Sequence, residues 1–195
     1  MNTFTINTNE YLSYNIQAFY HTNYTGYGNP DNPTYLNDLK NTFNNYSSDK
    51  LDSAINQLYT VLKNDLVHFD RNITVCIIPR SKAENSYKHN QLLFKKVIQE
   101  IISELNFQNG SDYIIRHTDT RTTHLNRSGY GGDGDLPYPG ITQKTCHISN
   151  KVHGKNILLI DDIYTNNVNI DEDVIQALYN KGAKSVQFYS IGKTI

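Results

Sequence analysis

The chain has 195 residues, a formal net charge of −1 and 19% charged residues, so one α/β domain is expected and no field draws it to nucleic acid or an anionic membrane. No apolar run approaches the roughly 18 residues of a membrane span, and Met1-Asn2-Thr3-Phe4 lacks the basic and apolar regions of a signal peptide. Cys76 and Cys146 have no metal-type spacing, so reduced thiols in a cytoplasmic protein are the simplest expectation.

Residues 1 to 50 are rich in Tyr and carry Gly26, Gly28 and the turn-prone Asn29-Pro30-Asp31-Asn32-Pro33. Their aromatics suit a small helix or hairpin packed onto a core. Ser47 or Ser48 then caps a helix over 49–66, with Leu51, Ala54, Ile55, Leu58 and Leu62 on one face. Ile73-Thr74-Val75-Cys76-Ile77-Ile78 reads as a buried strand ending in Pro79-Arg80-Ser81-Lys82, and a helix follows from about Tyr87 to Leu105. Tyr113-Ile114-Ile115-Arg116-His117 is a third apolar segment, a strand over 113–116. A long glycine- and proline-containing loop, about Thr118 to Thr145, comes after it. Loops of this length inside a compact domain are usually functional or disordered. His117, Asp119 and His124 in this region would suit a metal, although histidines on a polar loop are more often solvated.

The most informative run is Asn156-Ile157-Leu158-Leu159-Ile160 followed by Asp161-Asp162-Ile163-Tyr164-Thr165-Asn166-Asn167-Val168-Asn169. It reads as a buried strand ending in two carboxylates, then a polar loop, then an amphipathic helix from Ile170 to Lys181 that closes on Gly182. A final strand covers 185–190. Strands at 73–78, 113–116, 156–160 and 185–190 alternating with helices predict a mostly parallel twisted sheet with helices on both faces. Right-handed crossovers would bring the ends after Pro79, His117 and Asp162 to one edge. Ligands of open α/β folds bind at that carboxyl edge, and a loop entering a helix N-terminus offers N–H groups to a phosphate. The plainer alternatives are a bare strand-turn-helix whose acids solvate the turn, and a strand terminus at Pro79 decorated with soluble residues.

The run from Leu158 to Thr165, continued through Gly182-Ala183-Lys184-Ser185-Val186, resembles the phosphoribosyltransferase family. Its signature is a hydrophobic strand, two acids, two apolar or aromatic residues and roughly Thr-x-Gly-x-Thr. The amidophosphoribosyltransferase-like members related to competence protein F are the most similar. Two positions depart from the signature: Asn167 stands for the loop glycine and Asn169 for the last threonine. Asn tolerates a left-handed backbone and is also a good helix N-cap.

The resemblance implies a type I phosphoribosyltransferase fold in one domain, 1–195, with 1–50 as a variable hood and 51–195 as the core. It implies Mg²⁺-dependent transfer of 5-phosphoribosyl from phosphoribosyl pyrophosphate to a nitrogen nucleophile. A catalytically inactive sensor of a nucleotide or sugar phosphate on the same fold is the alternative. Asp161 and Asp162 would hold the ribose hydroxyls, directly or through Mg²⁺, and are the implied metal ligands. Thr165, Asn166, Asn167, Val168 and Asn169 would cradle the 5-phosphate, Val168 by its backbone. Arg80, Ser81, Lys82 and Arg121 would face the pyrophosphate, with Arg127 in reserve on the lid-like loop. A homodimer is the common assembly of such proteins.

Overall fold

The computed structural model describes residues 1–26, 28–30, 32–40, 47–120, 141, 145–166 and 168–195. Along the chain run β1 (Asn2–Ile6), β2 (Ile16–Tyr24), α1 (Thr34–Lys40), α2 (Ser48–Leu66) and β3 (Thr74–Ile77). Then come α3 (Leu93–Glu104), β4 (Gln108–Asn109), β5 (Ile114–Arg116), β6 (Cys146–Ile148), β7 (Asn156–Tyr164), α4 (Ile170–Asn180) and β8 (Ser185–Thr194). Six strands form one sheet in the order β1-β2-β8-β7-β3-β4, parallel except for the β1–β2 pair. The expected α/β class with a mostly parallel sheet is therefore present.

Alternation along the central strands builds two cores. Val75, Ile77, Leu158 and Ile160 face one side, where they meet Leu36 and Leu39 of α1, Leu58 and Leu62 of α2, and Ile98 and Ile101 of α3. Cys76, Ile157, Leu159 and Phe188 face the other and pack on Val174, Ile175 and Leu178 of α4. Strands buried on both faces read as continuous apolar runs, which is why β3 and β7 were conspicuous. α4 ends where Gly182 takes φ 91°. There the Gly182 N–H donates to Tyr179 O and the Ala183 N–H to Leu178 O, a double closure that a left-handed glycine permits.

One charged group enters the first core. Asp65 of α2, 6% exposed, accepts from the Tyr189 hydroxyl at 2.8 Å and pairs with His21 Nδ1 at 3.0 Å, tying α2 to β8 and β2. Burial alone would raise its pKa, but the bonds from His21 and Tyr189 hold the carboxyl below its usual range.

Four expectations need correction. The 113–116 segment does not join the main sheet; β5 pairs antiparallel with β6 in a separate two-stranded sheet. Its side chains alternate between buried Ile114 and Arg116 and exposed Ile115, the signature of a strand with only one covered face. The first residues supply β1 and β2 of the main sheet, so that part of the segment read as a hood extends the sheet instead. The helix expected from Tyr87 begins only at Leu93, because the polar stretch before it forms two short 3₁₀ turns, Glu84–Ser86 and His89–Gln91. Finally, β7 does not stop at the acids but runs on to Tyr164.

Candidate functional site

β3 and β7 are neighbours, with Ile77 opposite Ile160 and the Ile78 N–H donating to Ile160 O at 3.0 Å. From β3 the chain leaves through α3 to β4 on one side; from β7 it leaves through α4 to β8 on the other, and α3 and α4 cover opposite faces. The strand order thus reverses between β3 and β7, which makes the gap at their carboxyl ends the crevice where open α/β sheets take ligands. Pro79-Arg80-Ser81-Lys82 borders it on one side and Asp161-Asp162 on the other, as the register requires.

Both acids are half-buried. Asp161 is in register with Ser190 and Ile163 with Gly192, while Asp162 is skipped. Its N–H bonds Asp161 Oδ1 at 2.8 Å instead. Ile160 and Ile163 both enter the same core, so the strict alternation of β7 breaks between them. A local irregularity at a strand end is a frequent way to re-aim a side chain beside a site.

The loop after β7 closes a turn in which the Val168 N–H donates to Thr165 O at 3.3 Å, with Asn166 exposed. Asn169 occupies the N-cap position of α4 but makes no side-chain cap; its φ is 64° and its Oδ1 accepts from Asn9 Nδ2. The left-handed asparagine among the described loop residues is therefore Asn169. Asn167, which stands for the signature's glycine, lies outside the described residues, as do Arg121, Arg127 and His124. Because β-branched residues are strained at positive φ, Asn169→Thr should cost about 1–2 kcal/mol, whereas Asn169→Gly should stay within about 0.5 kcal/mol. Urea unfolding of both variants measures this, and a threonine variant as stable as the native chain would show that the loop backbone relaxes.

Sequence reasoning overlooked the acids that follow. Asp171, Glu172 and Asp173 fill the first turn of α4, which the helix dipole favours. Asp171 is 4% exposed with Oδ1 unpartnered, and Glu172 is 2% exposed with only Oε1 engaged, by the Tyr164 hydroxyl at 2.9 Å. Burial, then the charges of Asp161 and Glu172 and a hydrogen bond to Asp161, push the Asp171 carboxyl well above its usual range. Burial and the neighbouring charges thus favour the protonated form of Asp171, which can donate to Asp161. Three acids in one turn were readable in the sequence; their burial was not.

The opposite rim is braced. Arg80 Nη1 donates to Gln91 O at 2.8 Å and its guanidinium stacks 5.1 Å from the Tyr87 ring centre, so part of its donor capacity is engaged within the protein. Arg116, 4% exposed, donates from Nε to Arg80 O at 2.7 Å, and Thr120 donates from its N–H and hydroxyl to Ser81 O at 2.7 and 2.9 Å. The end of β5 therefore meets the loop after β3 through hydrogen bonds, although β5 lies outside the sheet. Beneath the loop is a cavity of about 50 Å³, room for water rather than for an acceptor base.

Among the described residues no set of three or more His, Cys, Asp or Glu side chains stands close enough to cage a metal, and no helix is long and apolar enough to cross a membrane. No protein-family model matches the chain, and no characterised protein matches it either.

Proposed function

We propose that this crevice binds phosphoribosyl pyrophosphate and transfers its 5-phosphoribosyl group to a nitrogen nucleophile. The observation that carries the reading is the reversal of strand order between β3 and β7, with a basic loop on one rim and two acids on the other. In the transfer, the C1–oxygen bond to pyrophosphate breaks with its electron pair leaving on oxygen, and a C1–nitrogen bond forms. The carbon passes through an oxocarbenium-like state, so the site must hold the ribose, balance the departing anion and keep water off C1.

Asp161 and Asp162 accept from the ribose hydroxyls and orient the sugar. Lys82 and Ser81, with what Arg80 has left to donate, bind the leaving pyrophosphate. Thr165, Asn166, Val168 and Asn169 border the 5-phosphate, and Asn167 and Arg121 belong to the same proposal by sequence. Mg²⁺ fits this donor set because it is commonly held by one or two carboxylates together with substrate phosphates rather than by a full protein cage. Asp161 and Asp162 are the groups to hold it, and it would neutralise pyrophosphate charge. A cytoplasmic setting and a homodimer complete the proposal by resemblance.

A second reading is a sensor that binds a phosphoribosyl compound or nucleotide without turnover. It is favoured by the three acids in the first turn of α4, Asp171, Glu172 and Asp173, where a phosphate-binding helix start would call for donors and positive charge. Incubating the full chain with phosphoribosyl pyrophosphate, Mg²⁺ and a pool of bases and amines separates the two. Acceptor-dependent pyrophosphate release is the expected result. Saturable binding without release would favour the sensor, and absence of any phosphoribosyl binding would remove both.

A further inference from the structure

The loop after β3 is anchored unevenly. Its carbonyls are satisfied from β5 and the residues just beyond, through Arg116 to Arg80 O and Thr120 to Ser81 O. Two of its N–H donors are engaged as well. The Lys82 N–H donates to the Tyr87 hydroxyl at 2.8 Å, and the next N–H, of Ala83, donates to Asp119 Oδ1 at 2.8 Å. The second oxygen of Asp119 stands 3.9 Å from Lys82 Nζ. One carboxylate therefore spans a backbone N–H and a lysine ammonium, the donor pair that a loop of this kind offers to a phosphate oxygen. Both side chains remain about half exposed among the described residues, Lys82 at 44% and Asp119 at 52%.

We propose that Asp119 is an internal stand-in for the pyrophosphate: its carboxylate occupies the anion site formed by the Ala83 N–H and the Lys82 ammonium, and the incoming anion must displace it. This rests on the crevice reading above and names the anion site within it. An exposed ion pair is weak, so displacement by a multiply charged pyrophosphate is readily reversible. The tether keeps the carboxylate at a high local concentration, so only ligands with more charge than a single carboxylate compete well. Asp119 thereby sets a threshold that favours pyrophosphate over monoanions. Thr120, locked to Ser81 O by two bonds, fixes where the Asp119 backbone lies and keeps the carboxylate on the loop.

Calorimetric titration of the full chain with inorganic pyrophosphate and excess Mg²⁺ tests this directly. Asp119→Ala should tighten pyrophosphate binding by roughly two- to five-fold, the size expected when a solvent-exposed competing pair is removed. Asp119→Asn, which keeps the shape and loses the charge, should tighten it less. Weakening the pair with salt should shrink the difference between native and variant. Ribose 5-phosphate should bind all three proteins equally, because its phosphate belongs at the other end of the crevice. Unchanged pyrophosphate affinity in both variants would overturn the proposal, and so would weaker affinity, which would make Asp119 part of the binding surface. No pyrophosphate binding by native protein or variants would also overturn it. Tighter binding by the variants without any pyrophosphate release from phosphoribosyl pyrophosphate would sustain Asp119 as the stand-in and remove the transferase reading alone.

Discussion

Replacing Asp161 and Asp162 together by asparagine should reduce Mg²⁺-dependent binding of phosphoribosyl pyrophosphate by about 30- to 1000-fold, as expected when charged partners of a desolvated polar ligand are removed. The fold should survive, since neither side chain belongs to an apolar core and both are half-buried at the end of β7. The single variants should differ from each other. Asp161 also accepts from the Asp162 N–H and is hydrogen-bonded to Asp171, so Asp161→Asn should lower stability as well as affinity. Asp162→Asn should act mainly on affinity. Calorimetry with the ligand, alongside thermal unfolding of each variant, checks both statements. Undiminished affinity in the double variant would withdraw the carboxylates from the site.

Much of this candidate site is legible in the sequence because its strands are buried on both faces. Ile73 to Ile78 and Asn156 to Ile160 stand out as apolar runs only because helices cover both sides of β3 and β7, and the residues just after them fall at the carboxyl edge. The parts that misled are those where local pattern underdetermines partner choice. β5 has the composition of a sheet strand, but nothing in Ile114-Ile115-Arg116 says whether its partner is β3 or β6. The extension of β7 through Asp161 and Asp162 is set by pairing with β8, which continues to Thr194, and the propensity of two adjacent aspartates argues against it. The contact of Asp119 with Ala83 joins residues far apart in sequence, and no local pattern encodes it. The burial of Asp171 likewise depends on where α4 docks, which a helical period does not encode.

That burial has a measurable consequence in the pH dependence of stability. The folded-state pKa of Asp171 is raised above its unfolded value by burial, by the charges of Asp161 and Glu172 and by the hydrogen bond with Asp161. Folding then requires the group to keep a proton that the unfolded chain gives up near pH 4. The sign follows: this group's contribution is fully favourable below about pH 4 and is lost progressively as pH rises toward the folded value. Asn at position 171 presents a permanent amide donor to Asp161 and carries no charge to suppress. Asp171→Asn should therefore match the native chain near pH 4 and exceed its stability at pH 7 to 8 by about 1–2 kcal/mol, the scale of one buried polar group relieved. In a chain of 195 residues that is a rise of a few degrees in melting temperature. Thermal unfolding of native and variant from pH 4 to 8 reads it out, and two parallel curves across that range would show that Asp171 carries no trapped proton.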